Sequence, residues 1–149
     1  MLLKYKALVG RSEQRLQSGL RRLTAERRRL AGIRDQCSRL QGEIEVQQQL
    51  AKAGELAGMA LDRQQLFGWL RRNAADRRRS QALRLELRQQ QENGTECEQK
   101  IGVEQVLCRR LEDRLERYRK LLAAERRKLR LRQFEIEECE LEERMSWSK

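Results

Sequence analysis

The sequence predicts an all-α fold: two long helices folded back on each other as an antiparallel coiled-coil hairpin. Three observations predict it: 149 residues hold no proline, only six aromatic side chains, and apolar residues that recur every seven positions. Without proline nothing removes a backbone donor or clashes with the preceding turn, so helices can run long. Hydrophobic and charged residues each make up 38% of the chain. That is too little apolar bulk for a thick globular core, yet enough for a seam between helices.

The first helix is read from steps of seven. Leu2, Val9, Leu16, Leu23, Leu30, Cys37, Ile44 and Ala51 are eight consecutive apolar a positions. The companion d positions (Tyr5, Ser12, Gly19, Glu26, Ile33, Leu40, Gln47 and Gly54) are poorer, so the seam is narrow, and Leu20 is expected to widen it. This helix is placed at about 3–52. Gly54 and Gly58 then break the pattern, each costing about 1 kcal/mol of helix relative to alanine. Asp62 followed by Gln65 resembles a capping box that opens a new helix. The turn is therefore placed at about 54–62, with Asn73-Ala74-Ala75-Asp76 as a rival.

The second helix is placed at about 63–144. Its a positions are Ile101, Cys108, Leu115, Leu122, Leu129 and Ile136, with Cys97, Leu111, Tyr118 and Cys139 at d. Leu66, Leu70, Leu83 and Leu87 extend the stripe upstream, weakened at Ser80 and Gly94. At 1.5 Å per residue this helix spans roughly 120 Å against about 75 Å for the first. One helix therefore overhangs, and its seam positions call for a partner. The whole of 1–149 is read as a single hairpin.

Charge narrows the function. The chain carries +11, distributed as +7 over 1–53, −2 over 54–62, +10 over 63–132 and −4 over 133–149. A basic body with an acidic tail suits a polyanionic or acidic protein partner. The hairpin brings Glu135, Glu137, Glu138, Glu140, Glu142 and Glu143 near the start of the basic first helix, where they are candidates for ion pairs. No histidine is present, which excludes imidazole acid–base chemistry. There is no phosphate-binding glycine loop, and the carboxylates lie on charged helix faces without a cleft. No catalytic residue, cofactor or metal is assigned, and the chain is not expected to be an enzyme. Cys37, Cys97, Cys108 and Cys139 include no Cys-x-x-Cys pair and are expected to pack as reduced, small hydrophobes. Lys4 and Lys6 interrupt any signal-like apolar run, and no stretch approaches the ~18 apolar residues of a membrane span. A soluble, intracellular protein without membrane insertion is expected.

Two strings carry a functional signal of their own. Asn73-Ala74-Ala75-Asp76-Arg77-Arg78-Arg79-Ser80 resembles a leucine-zipper basic region, but its Asn and alanines are adjacent and point about 100° apart on a helix. Specific DNA binding is not expected. Phe67 and Trp69, beside Leu66 and Leu70, either close the hairpin turn or form an aromatic hot spot for another protein. The basic runs Arg27-Arg28-Arg29, Arg77-Arg78-Arg79 and Arg126-Arg127-Lys128 are solvated faces or contacts to acidic protein loops.

Asp62-Arg63-Gln64-Gln65-Leu66-Phe67-Gly68-Trp69-Leu70-Arg71-Arg72, opening the second helix, and the closing run Arg126-Arg127-Lys128-Leu129-Arg130-Leu131-Arg132-Gln133-Phe134-Glu135-Ile136-Glu137-Glu138 carry a resemblance. In length and layout the chain resembles the SctO family of type III secretion stalk proteins (YscO, SpaM and InvI), related to flagellar FliJ, with the SpaM/InvI branch most similar. The resemblance implies a two-helix shaft that inserts into a hexameric secretion ATPase and links it to an export gate, promoting protein export. It implies a cytoplasmic place at the base of a membrane-embedded apparatus and a role in virulence. Export-gate contacts fall by implication on Leu66, Phe67, Trp69, Leu70, Asn73 and Arg77. The paired termini, about 2–23 and 122–139, would face the ATPase, with Arg126, Arg127, Lys128, Arg130 and Arg132 in contact. Whether secretion chaperones are further partners is left open. The alternative is a basic coiled-coil scaffold or a non-specific nucleic-acid-associated protein.

Overall fold

In a computed structural model the chain forms two helices, α1 (Leu2–Ala53) and α2 (Arg63–Trp147), of 52 and 85 residues. Residues 1–54, 58 and 60–147 are described, and no strand occurs among them. The fold is the all-α, two-helix coiled coil that the heptads predict. Gly54 and Gly58 are turn residues, and Gly58 takes φ +83°, a left-handed backbone that favours glycine. Residues 55–57 and 59 of the expected turn lie outside the described residues. The rival site, residues 73–76, is helical within α2.

The start of α2 is capped as the spacing predicts, though only by half of a capping box. Gln65 Oε1 accepts from the Asp62 amide at 3.2 Å, while Asp62 Oδ1 accepts from the amide of Arg63 at 2.6 Å. Both bonds satisfy backbone donors that a helix start otherwise leaves open.

Contacts along the helices fall into two units, Thr24–Gly102 and Met1–Leu23 with Val103–Lys149. In the first unit the later part of α1 packs antiparallel on the early part of α2. Leu30, Ile33 and Cys97 form one buried cluster, joined by Cys37 and Ile101. Leu40, Ile44 and Leu83 form another, joined by Leu87. Arg34 and Glu98 pair across the seam at 3.0 Å. The second unit repeats the arrangement: Leu23, Cys108, Leu115 and Leu122 are buried, and Glu13 pairs with Arg119 at 2.7 Å. Exposed pairs of this kind contribute about 0–1 kcal/mol each, so they select register more than they stabilise.

The heptad register of α1 is visible side chain by side chain. Every a and d residue from Leu2 to Gln47 is buried or half-buried, whereas Ala51 and Gly54 are exposed. Three expectations are corrected. Leu20 lies outside the seam, 42% exposed, one position beyond d. Cys139, read as a core d residue, is exposed. The acidic tail does not pair with α1: no ion pair joins residues 135–143 to α1 among the described residues. The cause is length. In the second unit α1 begins at Leu2, the last half-buried residue of α2 is Glu125, and every described residue from 126 on is exposed.

Two seam glycines differ in the space around them. A Cβ on Gly19 would lie 3.1 Å from Cys108 Sγ, and one on Gly94 3.6 Å from Ile33 Cγ2. The first is a tight approach and the second an ordinary van der Waals contact. Gly94→Ala should therefore raise stability by about 1 kcal/mol through helix propensity. Gly19→Leu should lower it by about 1–3 kcal/mol through overpacking. Urea melts of the two variants, read against the parent, check both signs.

Candidate functional site

The first turns of α2 carry the residues assigned by resemblance to an export gate, and the structure divides them between two faces. Trp69 is half-buried, and its indole Nε1 donates to the carbonyl of Gly54 at 3.0 Å. That carbonyl follows the last turn of α1, where helix geometry leaves acceptors unpaired. Trp69 thus ties α1 to α2 just after α1 ends. Asn73 is half-buried too, and with Trp69 it lines an open groove bounded by Leu50, Ala51 and Arg77. Leu66, Phe67 and Leu70 face outward at 42%, 51% and 47% exposure. At about 100° per residue they share one side of the helix with Arg63, whose guanidinium sits 5.9 Å from the Phe67 ring centroid. Arg77 is exposed. The sequence motif is thus a structural tryptophan backing an exposed apolar patch.

The basic cluster stands on a different stretch. Arg126, Arg127, Lys128, Arg130 and Arg132 belong to the part of α2 that continues past Glu125, and all five are exposed. Beyond them the seam positions Leu129 and Ile136 are bare, 40% and 58% exposed. The heptads do not single out a second row, Leu131, Phe134 and Leu141, which is 62%, 63% and 59% exposed. Its three-and-seven spacing is the signal that would have found it.

Two polar layers interrupt the seam. In one, the Cys97 thiol, 2% exposed, donates to the carbonyl oxygen and to Oε2 of Glu26, both at 3.3 Å. In the other, Arg22 Nε lies 3.4 Å from Glu104 Oε1, while Glu104 Oε2 is buried without a hydrogen-bond partner. A charged residue in a seam costs stability and fixes register, because any slip would leave it facing an apolar layer. Among the described residues no group of three or more Cys, Asp or Glu is placed to hold a metal ion. No described helix is long and apolar enough to cross a membrane.

Comparison with known proteins adds one finding. The family described as Salmonella surface presentation of antigen gene type M protein (SpaM) matches residues 3–145. The chain belongs to the SpaM family. No curated protein and no solved structure matches it. Membership makes this a type III secretion-related protein, of a family of secretion accessory proteins that points to virulence. The resemblance drawn from the opening and closing strings of α2 holds at the level of the family.

In this SpaM-family chain the Cys97 layer has a pH signature. Burial pushes the Cys97 thiol up from its ordinary value, and the hydrogen bond and negative charge of Glu26 push the same way. Arg29 and Lys100 pull partly back. A thiol whose folded pKa exceeds its unfolded one stabilises fully below the ordinary thiol range. That stability is lost as pH rises through the raised value. Denaturant melts across alkaline pH should show a decline in stability that Cys97→Ala removes and Cys139→Ala leaves in place.

Proposed function

We propose that the chain is the central stalk of a type III secretion ATPase, a FliJ-like shaft that links the hexameric ATPase to the export gate and promotes protein export at the cytoplasmic base of the apparatus. The observation that carries this reading is the family match over residues 3–145. The two-helix architecture supports it physically. A shaft within a ring needs little bulk, stiffness along its helices, and a surface that touches the wall without adhering. Exposed arginines in high dielectric give weak, exchangeable contacts, whereas a uniformly apolar surface would stick.

The division of surfaces supports a division of partners. Arg126, Arg127, Lys128, Arg130 and Arg132 face the ATPase, because they stand on helix that α1 does not cover. Leu66, Phe67 and Leu70 face the export gate, with Trp69 holding α2 to the end of α1, and with Asn73 and Arg77 lining the groove beside it.

Purified chain titrated into the cognate ATPase at about 150 mM salt should raise ATP hydrolysis, saturating near one chain per hexamer. Arg126→Glu, Arg127→Glu and Lys128→Glu together should weaken that effect by about threefold to a hundredfold, from about 0.2–1 kcal/mol lost per contact. An ATPase that is competent yet unmoved by helical protein overturns the stalk reading in favour of a basic scaffold.

Leu66→Asp with Leu70→Asp should abolish export-gate binding in a pull-down, as apolar anchors of an interface often cost about 2 kcal/mol or more each. Both side chains are exposed, so circular dichroism of the variant should match the parent. Retained gate binding would remove that patch from the assignment.

A further inference from the structure

Residues 126–147 of α2 run past the start of α1, and every residue among them is exposed. Their charge is segregated. Arg126, Arg127, Lys128, Arg130 and Arg132 place five cations in the first seven residues, and Glu135, Glu137, Glu138, Glu140, Glu142 and Glu143 then follow as six anions. Through both blocks runs the apolar row Leu131, Phe134 and Leu141, exposed by 62%, 63% and 59%. At about 100° per residue the row stays within an arc of about 80°, on the side of α2 opposite the seam that continues from Leu115 and Leu122. Solvation accounts for the charges but not for an apolar row between them, turned away from α1.

We propose that this segment pairs antiparallel with the same segment of a second copy, about a two-fold axis near residue 134. The charge order selects both occupant and direction. Parallel pairing would set cations on cations and carboxylates on carboxylates. Antiparallel pairing about residue 134 sets each basic block against the other copy's acidic block, residues 126–132 opposite 136–142. The same register places Phe134 against its counterpart at the axis, with the Leu131 of each copy about one turn to either side. A two-fold contact is self-complementary, as one surface carrying both charge signs requires. Because the row faces away from the seam, α1 keeps its place. The interface spans about three heptads, in the size range of weak, transient contacts, with rim charges setting specificity and salt dependence.

The inference is independent of the stalk reading and is tested without the ATPase. If both hold, self-pairing covers the arginines assigned to the ATPase, and the two contacts exclude one another.

Sedimentation equilibrium of the full chain should show a monomer–dimer equilibrium at about 50 mM salt. Its dissociation constant should rise about tenfold or more by about 500 mM, where the Debye length falls to roughly 4 Å. Two charge variants decide the geometry: Arg126→Glu, Arg127→Glu and Arg130→Glu in one chain, and Glu137→Lys, Glu138→Lys and Glu142→Lys in another. Each alone should dimerise about tenfold more weakly, and an equimolar mixture should recover or exceed parental association. Leu131→Asp, with charges intact, should weaken the dimer comparably while leaving helicity unchanged by circular dichroism. A parent that stays monomeric at low salt overturns the proposal and leaves the row to a different protein. Variants that each self-associate like the parent, or a mixture that stays monomeric, overturn it equally.

Discussion

The seam between α1 and α2 is a single row of a and d side chains on each helix, and no described side chain in it is wholly sealed from water. Among the described residues leucine, isoleucine and cysteine supply all ten buried hydrophobic ones, so each layer holds few atoms and one substitution is felt by its whole layer. Layers this thin rank the remaining interactions. Exposed ion pairs add little, whereas Gly19 against Cys108 and Cys97 against Glu26 govern how closely and in which register the helices meet.

Register matters because the seam mixes chemistries. An all-leucine row would tolerate a slip by one heptad. Here a slip would carry Glu26 away from the Cys97 thiol and Glu104 away from Arg22. The buried, unpaired oxygen of Glu104 is a cost that a leucine would avoid. Polar layers thus exchange stability for a defined alignment.

The unequal helices, 52 and 85 residues, have the second major consequence. In the unit that holds the termini, α2 outlasts α1 and presents helix on all sides. Charged and apolar side chains that elsewhere would be confined to one face are all accessible there. A segregated charge pattern on such a helix has direction. It distinguishes parallel from antiparallel neighbours, which a scattered pattern does not.

Much of this was legible in the sequence. The missing prolines and the eight consecutive a positions pointed to long helices, and the a and d rule located the α1 seam from Leu2 to Gln47. The Asp62 and Gln65 pair marked the start of α2. These features are local or periodic, so composition and spacing determine them. The tertiary structure alone decided the rest. The Trp69 indole turned inward to Gly54 while Phe67 turned outward; a cluster of neighbouring apolar letters does not say which of them meets the other helix. Cys139, Leu129 and Ile136 obey the heptad yet stand in water, and the glutamates beyond Gln133 find no pair on α1. A heptad specifies the face that a residue occupies. Whether another helix reaches that face depends on where the partner begins, and only the three-dimensional alignment of α1 with α2 sets it.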